Sequence, residues 1–397
     1  MNTSGTALQA DATPTPGDAK EQSHALGVTV VIPCLNERTT IAAAVGEAQT
    51  AFANWPGGVE VVVADNGSTD GSVELAQAAG ARVVPAVERG YGAALQAGFA
   101  VARTTYIIYA DADLTYDFQE GPGLVAALRN ASADMVVGTR LQGQIEPGAM
   151  PVLHQRLGTP ILTSMINLLF GSQLTDCNSG FRALRRDQLP VWGASSPGME
   201  FASELLVNAL RAGAKIVEVP ITLRRDRYAR QPHLQTWRDG MRHCLTILAR
   251  APGLFLHGGL AMVGLSALIA MACAFGPRLV FSTFMLFDYH TLIFAVLLGF
   301  LGAQTFGAGL LLQLRRPRSL RGFTVRLLDL HEGVLFWLLT GIASGVGGGV
   351  AFVAWSWARH GFANITYLKF TLALLYTVTV VGSLAMSLFY AHLLKRA

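Results

Sequence analysis

The stretch IIYADADLTYD, residues 107–117, decides how the N-terminal half of the chain is read. It opens apolar and β-prone, then breaks into Asp111, Ala112 and Asp113, with Asp117 close behind. A buried strand that ends this way brings like charges together, and their repulsion calls for a cation between them. Mg2+ or Mn2+ suits such a place, because either takes a few carboxylate oxygens and completes its shell with phosphate oxygens. The plainer reading has both aspartates capping a turn. Asp-x-Asp by itself does not choose between the two.

Upstream, the same pattern repeats. VTVVIP (28–33) is a β-branched run stopped by Pro33, with a helical pattern from Glu37. VEVVVAD ends at Asp65 and gives way to the turn NGSTDGS and the helix SVELAQAAG; ARVVPA leads into ERGYGAALQAGFAVA, and TYIIYAD is the fourth strand. Strand, turn and helix in repetition predict a mostly parallel, Rossmann-like α/β sheet flanked by helices. Such sheets bind ligands beyond the carboxyl ends of their strands, where Asn36, Asp65, Arg89 and Asp111 all fall. Asp65 is placed to accept from a base or ribose. Ser68, Thr69 and Asp70 either shape the turn and cap the next helix or touch the ligand. ERGYGAAL has Leu95 where the third glycine of a dinucleotide fingerprint belongs. That argues against a dinucleotide and leaves Arg89 and its turn to face a nucleotide diphosphate.

The chain has 397 residues, enough for two domains, and its charged fraction is only 14% with a mean hydropathy of +0.39. The apolar excess lies after about residue 250, in spans at 253–277, 288–314, 333–358 and 368–394, each about the length a bilayer requires. The loop RRPRSLRGFTVR (315–326) carries five Arg, and Lys395 and Arg396 end the chain; the other two loops hold only Arg278, Arg359 and Lys369. Seven basic residues against three put that loop, the N-terminal domain and the C-terminus in the cytoplasm. Gly341, Gly345 and Gly349 line one face of the third span, suited to close packing of helices within the chain or between copies of a homo-oligomer. The net charge of +4 comes without a basic stripe interleaved with aromatics, so it reads as membrane topology and phosphate handling, and nucleic acid is not expected as a partner. With 26 Arg, 4 Lys and much Ala and Gly, the composition points to a GC-rich bacterial genome, hence a multi-pass protein of the bacterial plasma (inner) membrane. Cys34, Cys177, Cys244 and Cys273 are scattered and read as reduced thiols. Residues 1–26 lack the pattern of a signal peptide and read as a disordered tail, which leaves 27–250 and 251–397 as the two domains.

VVIPCLNE, VVVADNGSTDGS, RGYGAAL, DADLTYDF, VVGTR and DCNSGFR, in this order over about residues 28–250, resemble a family-2 glycosyltransferase of the GT-A fold. Among these the chain is most similar to polyprenyl-phosphate glycosyltransferases, the bacterial relatives of dolichyl-phosphate mannose synthase, a group in which appended membrane spans also occur. The resemblance implies a metal-dependent, inverting transfer of a sugar from a nucleotide sugar to a polyprenyl phosphate. It implies that Pro33, Leu35, Asn36, Glu37, Asp65, Arg89 and the stretch Asp111, Ala112 and Asp113 hold the nucleotide sugar. Asp111 and Asp113 would hold the metal. Arg140 in VVGTR and Arg156 in LHQRLG would meet the acceptor's phosphate and, with Asp113, form the catalytic set, with Arg182 in SGFR a further anion site. The turn DNGSTDGS looks more like that of UDP-sugar users than of GDP-mannose users. Two positions depart from the family pattern: Thr115 stands where Gln often completes the metal site, and Thr159 stands near the acceptor arginine where Ser is common.

A lipid phosphate is ionised at neutral pH, so the expected chemistry needs positioning and charge neutralisation more than a general base. PILTSMINLLFG (160–171), within an interfacial stretch near 156–171, either lies at the membrane interface or packs as a core helix. The basic segment LRRDRYARQPHLQTWRDGMRH, opening the stretch 223–250, reads as a juxtamembrane belt with Tyr228 and Trp237. Glu200 and Glu204 share one helix face, turned to the sugar or to solvent. Two competing readings are weaker. A processive polysaccharide synthase would carry Gln-x-x-Arg-Trp where this chain has QTWRD; a membrane transporter or scaffold with a silent transferase domain would place acidic residues in its spans, if ion-coupled, and would lose Asp111 or Asp113.

Overall fold

The computed structural model describes residues 27–228, 236–275, 278–280, 284–314, 332–359 and 368–396. The tail 1–26, the five-Arg loop and positions 229–235 of the basic belt lie outside these residues. The chain divides into two compact units, Met1–Ile247 and Leu248–Ala397.

The first unit is a seven-stranded sheet of β1 (Val28–Cys34), β2 (Val59–Asp65), β3 (Arg82–Pro85), β4 (Tyr106–Tyr109), β5 (Met135–Ile145), β6 (Arg182–Arg185) and β7 (Ile216–Leu223), in the order β3-β2-β1-β4-β6-β5-β7. All neighbours pair in parallel except β6, which runs antiparallel between β4 and β5. This is the expected mostly parallel α/β class of GT-A. The antiparallel β6 was not foreseen: RALR is only four residues long and carries two arginines, too short and too polar to read as a strand. Strand ends are in register, with Cys34 opposite Asp65 and Asp65 opposite Pro85, so the loops that follow share one edge.

The central strands are nearly continuous Val and Ile because both faces are covered. On one face, Phe52 of α1 (Ile41–Ala51, then Phe52), Phe118 and Leu124 and Val125 of α4 (Gly121–Asn130) pack on Val30 and Ile32. On the other, α3 (Tyr91–Val101) and α7 (Phe201–Arg211) set Leu95, Phe99, Phe201 and Leu205 against Val31, Ile107 and Tyr109. Between them in the chain are α2 (Ser72–Ala78), α5 (Thr159–Phe170) and the single turn α6 (Leu189–Trp192). α8 (Thr236–Ala249) follows β7.

In the second unit, α9 (Pro252–Ala274), a hairpin of β8 (Arg278–Val280) and β9 (Phe284–Leu286), α10 (Tyr289–Leu314), α11 (Glu332–Arg359), α12 (Leu368–Tyr376) and α13 (Gly382–Arg396) follow in order. Four helical stretches, Pro252–Ala274, Tyr289–Leu314, Leu339–Arg359 and Thr371–Leu394, are long and apolar enough to cross a membrane; the last joins α12 to α13 through a π-helical turn, Thr377–Val381. Glycine does bring helices together, but chiefly at another pair than the sequence implied. A Cβ on Gly259 of α9 would lie 2.5 Å from Phe306 N of α10, and one on Gly302 of α10 would lie 2.8 Å from Met262 Cβ. Of the α11 glycines, Gly349 meets Leu374 of α12, whereas a Cβ on Gly341 or Gly345 meets nothing within 4 Å among the described residues.

α3 can approach β1 because residue 98 has no side chain: a Cβ there would sit 2.3 Å from Val31 Cγ1. Gly46 of α1, by contrast, has nothing within 4 Å. Gly98→Ala is therefore expected to destabilise by about 1–3 kcal/mol through overpacking. Gly46→Ala should stabilise by up to about 1 kcal/mol through helix propensity. Thermal unfolding of the detergent-solubilised protein followed by circular dichroism checks both, and equal shifts in the two variants would contradict the packing described.

Candidate active site

The turn after β4 is fixed by its own polar side chains. Thr115 donates from both its backbone N (3.0 Å) and its Oγ1 (2.6 Å) to Asp113 Oδ1. The chain turns through Leu114, which adopts φ +61°, a left-handed conformation rare for a branched apolar residue. The departure at Thr115 thus has a local role, as it orients the Asp113 carboxylate. Asp111 lies beside Gly180 of the DCNSGFR loop, where an added Cβ would be 3.0 Å from Asp111 Oδ2 and 3.3 Å from the Tyr116 hydroxyl. Glycine here keeps space open next to the carboxylate. Asp117 belongs elsewhere: it accepts from Gln119 N at 2.9 Å and forms an ion pair with Arg224.

Among the described residues no three His, Cys, Asp or Glu side chains gather into a metal cage. Two carboxylates, Asp111 and Asp113, with room kept beside them, fit a hard divalent cation whose other ligands are phosphate oxygens and water. This is the donor set expected when a cation arrives with a substrate diphosphate.

The expected nucleotide residues gather at the ends of β1 and β2. Asn36, at φ +56°, accepts from Thr69 N at 2.9 Å, and its own N donates to Ser68 Oγ at 2.9 Å. Asp65 accepts from Gly67 N and Ser68 N, each at 3.1 Å, and Glu37 N donates to Ser72 Oγ at 2.8 Å. Asp70 accepts from Ser72 N and Arg38 N, both at 3.0 Å. Of the two roles open for Ser68, Thr69 and Asp70, turn-shaping is the one seen. Pro33 and Leu35 are half-buried beside them, and Ala112 is buried between the two aspartates. Asn66, which sequence reading passed over, holds the next loop: it donates to Glu88 O at 2.9 Å and accepts from Gly90 N at 2.7 Å. Burial raises the Cys34 thiol to about 11, keeping it protonated; all four cysteines are free, as expected.

The helix start at RGYGAAL does not offer an anion cradle. Gly92 N donates to Gly198 O (3.2 Å) and Ala93 N to Pro197 O (3.0 Å), so the loop before α7 caps α3. Glycines at 90 and 92 are needed because a Cβ at either would come within 2.2 Å of a carbonyl of that loop. Glu204 anchors the same loop by accepting from Ser195 N (3.2 Å) and Ser196 N (2.7 Å). Glu204 is buried, so it does not lie on a solvated helix face. Arg89 is exposed, its guanidinium near Gly67 on the β2 turn.

Arg140 and Arg182 differ sharply. Arg140 forms a bidentate pair with Asp176, Nε to Oδ2 at 2.7 Å and Nη2 to Oδ1 at 2.8 Å, with its side chain 12% exposed. Burial would raise the Asp176 carboxyl, but the hydrogen bonds and charge of Arg140 outweigh it and hold that carboxyl below its usual range. Asp176 sits in a loop fastened to β7, where Thr175 N and Asp176 N donate to Glu218 at 2.9 and 3.0 Å. Arg182 has no solvent exposure and donates to the backbone carbonyls of Ser179 (2.9 Å), Ala202 (2.8 Å) and Cys177 (2.7 Å). The geometry gives Arg182 a structural role in place of the acceptor contact expected from SGFR.

Arg156 lies exposed on a π-helical turn, His154–Gly158, that runs into α5. The core-helix reading of PILTSMINLLFG holds for one face of α5. Thr159, Thr163 and Ile166 are buried, Thr163 Oγ1 accepts from Cys177 N (3.2 Å), and Asn167 bonds Leu174 through both N and O. On the outer side Val152, Leu153, Leu157, Ile161 and Leu168 are 48–84% exposed, and the first four lie within five residues of Arg156 in the chain.

The family model described as glycosyl transferase family 2 matches residues 29–190. The chain is 40% identical over 246 residues to the low-salt glycan biosynthesis hexosyltransferase Agl6 of Haloferax volcanii, covering 61% of this chain and 59% of that protein. It is 32% identical to a dolichyl-phosphate hexose transferase of the same organism, covering 42% of this chain and 71% of the relative. It is 28% identical over 298 residues to an undecaprenyl-phosphate 4-deoxy-4-formamido-L-arabinose transferase of Pseudomonas fluorescens, covering 72% of this chain and 83% of the relative. With its motifs in order on a mostly parallel sheet, and with a relative above 30% identity matched over more than two thirds of its length, this chain belongs to glycosyl transferase family 2.

Proposed function

We propose that this protein transfers a hexose from a nucleotide sugar, a UDP-sugar in preference to GDP-mannose, to a polyprenyl phosphate, with inversion at the anomeric carbon. The observation that carries this reading is a continuity within the first unit. The loop holding Arg140 and bordering Asp111 is stitched to α5, whose outer face is bare and apolar and begins beside Arg156. An acceptor with an anionic head and a hydrocarbon tail matches that sequence of surfaces. The relatives named for dolichyl phosphate and undecaprenyl phosphate support the same acceptor class.

Asp111 and Asp113 would hold a divalent cation, which when bound would supply charge neutralisation to the leaving nucleoside diphosphate. Thr115 keeps the Asp113 carboxylate in one orientation. Arg140 has Nε and Nη2 fixed by Asp176, which leaves Nη1 to meet the lipid phosphate in a set geometry. Arg156 draws that phosphate from the interface. The turn built by Asn36, Asp65 and Ser68 lies where the nucleoside binds, with Pro33, Leu35, Glu37 and Arg89 around it. The phosphate oxygen is already an anion and attacks without a base, so one displacement inverts the sugar linkage. The apolar helices of the second unit hold the protein in a membrane, and the seven-to-three distribution of basic residues favours a cytoplasmic active site.

Asp113→Asn is expected to abolish transfer of radiolabelled sugar into the lipid extract while leaving the thermal transition in place. Full activity of this variant in EDTA would overturn the metal assignment. Arg156→Ala should lose about 1.5–3 kcal/mol of charge-assisted contact, seen as a roughly ten- to hundredfold rise in KM for polyprenyl phosphate with little change for the nucleotide sugar. An equal rise for both substrates would place Arg156 in the donor site. For Asp176, a folded-state carboxyl held below its unfolded value of about 3.9 contributes stability that is present above that pH and is lost as pH falls through the folded value. Wild type should therefore lose more thermal stability than Asp176→Asn as pH is lowered below about 4, and parallel pH profiles would contradict the ion pair.

A further inference from the structure

A cleft of about 480 Å³ opens within the second unit between α10 and the π turn leading into α13, lined by Gln304, Ala308, Leu311, Gly382, Ser383 and Tyr390 among others. Its lining is unusual for helices this apolar, because one wall carries a primary amide. Gln304 is the sixteenth of the 26 residues of α10, about 15 Å along the axis from the Leu314 end at 1.5 Å per residue. That depth is near the middle of a hydrocarbon layer of about 30 Å. The side chain is exposed on the same face as Leu297, Leu301 and Leu311. No hydrogen bond joins its amide to another described residue, whereas nearby Thr305 returns its hydroxyl to Leu301 O at 2.8 Å.

An amide facing hydrocarbon needs a partner, and acyl or prenyl chains offer none at that depth. A primary amide has both donors and an acceptor, so two such groups related by a two-fold axis pair with each other. The cleft beside it is open to receive a neighbouring helix. Gly382 has helical dihedrals (φ −61°, ψ −42°), and a Cβ there would meet nothing within 4 Å. We infer that α10 and the adjoining cleft form an isologous interface between two copies of this chain, centred on paired Gln304 amides. The inference rests on the proposal that these helices cross a bilayer.

The test uses the full chain reconstituted in lipid vesicles at low protein density. Subunits are counted by single-molecule photobleaching, and oxidative cross-linking is scored for Gln304→Cys against Leu268→Cys, an exposed position on α9. The unsubstituted protein sets the cross-linking baseline. The expected result is a dimer that cross-links through Gln304→Cys at least tenfold more than through Leu268→Cys. Gln304→Leu, and Gly382→Leu, which projects a bulky side chain into the cleft, should each reduce the dimer fraction at least tenfold while sugar transfer persists, showing that both variants fold. A monomeric wild type, or a dimer that neither variant disturbs, would overturn the inference. So would a monomer whose co-purifying lipid is displaced by Gly382→Leu, which would assign the cleft to lipid. Release of the wild type from membranes by alkaline carbonate would remove the membrane premise and this interface with it. A firmly membrane-bound monomer would sink the interface alone.

Discussion

A fully buried guanidinium holds the first unit's chemistry in place. Arg182 has no contact with solvent, so its donors must be met from within or the fold pays heavily for a desolvated charge. Three of its five N–H donors are met by backbone carbonyls from two segments, Cys177 and Ser179 of the loop before β6 and Ala202 at the start of α7. Meeting them fixes both segments at once. The first sets Gly180 beside Asp111 and Asp176 against Arg140; the second positions the loop whose Pro197 and Gly198 carbonyls cap α3. The carboxylate turn, Arg140 and the helix covering the sheet therefore depend on one residue of the antiparallel strand.

Much of this was legible in the sequence. Val28–Cys34, Val59–Asp65 and Tyr106–Tyr109 are β-branched or aromatic runs ended by Pro, Asp or Ala-Asp, and they form strands where the periodicity places them. The shared edge of Asn36, Asp65 and Asp111 follows from strand register, which a parallel α/β pattern already implies. The apolar spans are recognisable by length and composition alone.

What stayed hidden depends on long-range contacts. Arg140 and Arg182 are the same residue type at the ends of similar short motifs, yet one has a carboxylate 36 positions away and the other backbone carbonyls. Spacing along the chain does not encode that difference. The capping of α3 by a loop more than 100 residues later is equally invisible, although the unusual pair Gly90 and Gly92 was a sign that another backbone comes close. Asn66 sat inside a recognised motif and was overlooked because its partners, Glu88 and Gly90, belong to the next loop. In the second unit the visible glycine repeat of α11 drew attention from Gly259 and Gly302, which bring α9 and α10 together.

The central claim is that Asp111 and Asp113 hold a divalent cation against the diphosphate of the donor. Crystals of the full chain grown with UDP and Mn2+, with anomalous scattering recorded at the manganese edge, test it directly. The account predicts one anomalous peak bridging the two carboxylates and the diphosphate, lost in crystals of Asp111→Asn. Bound UDP with no manganese at these carboxylates, or a peak held by other residues, would contradict it.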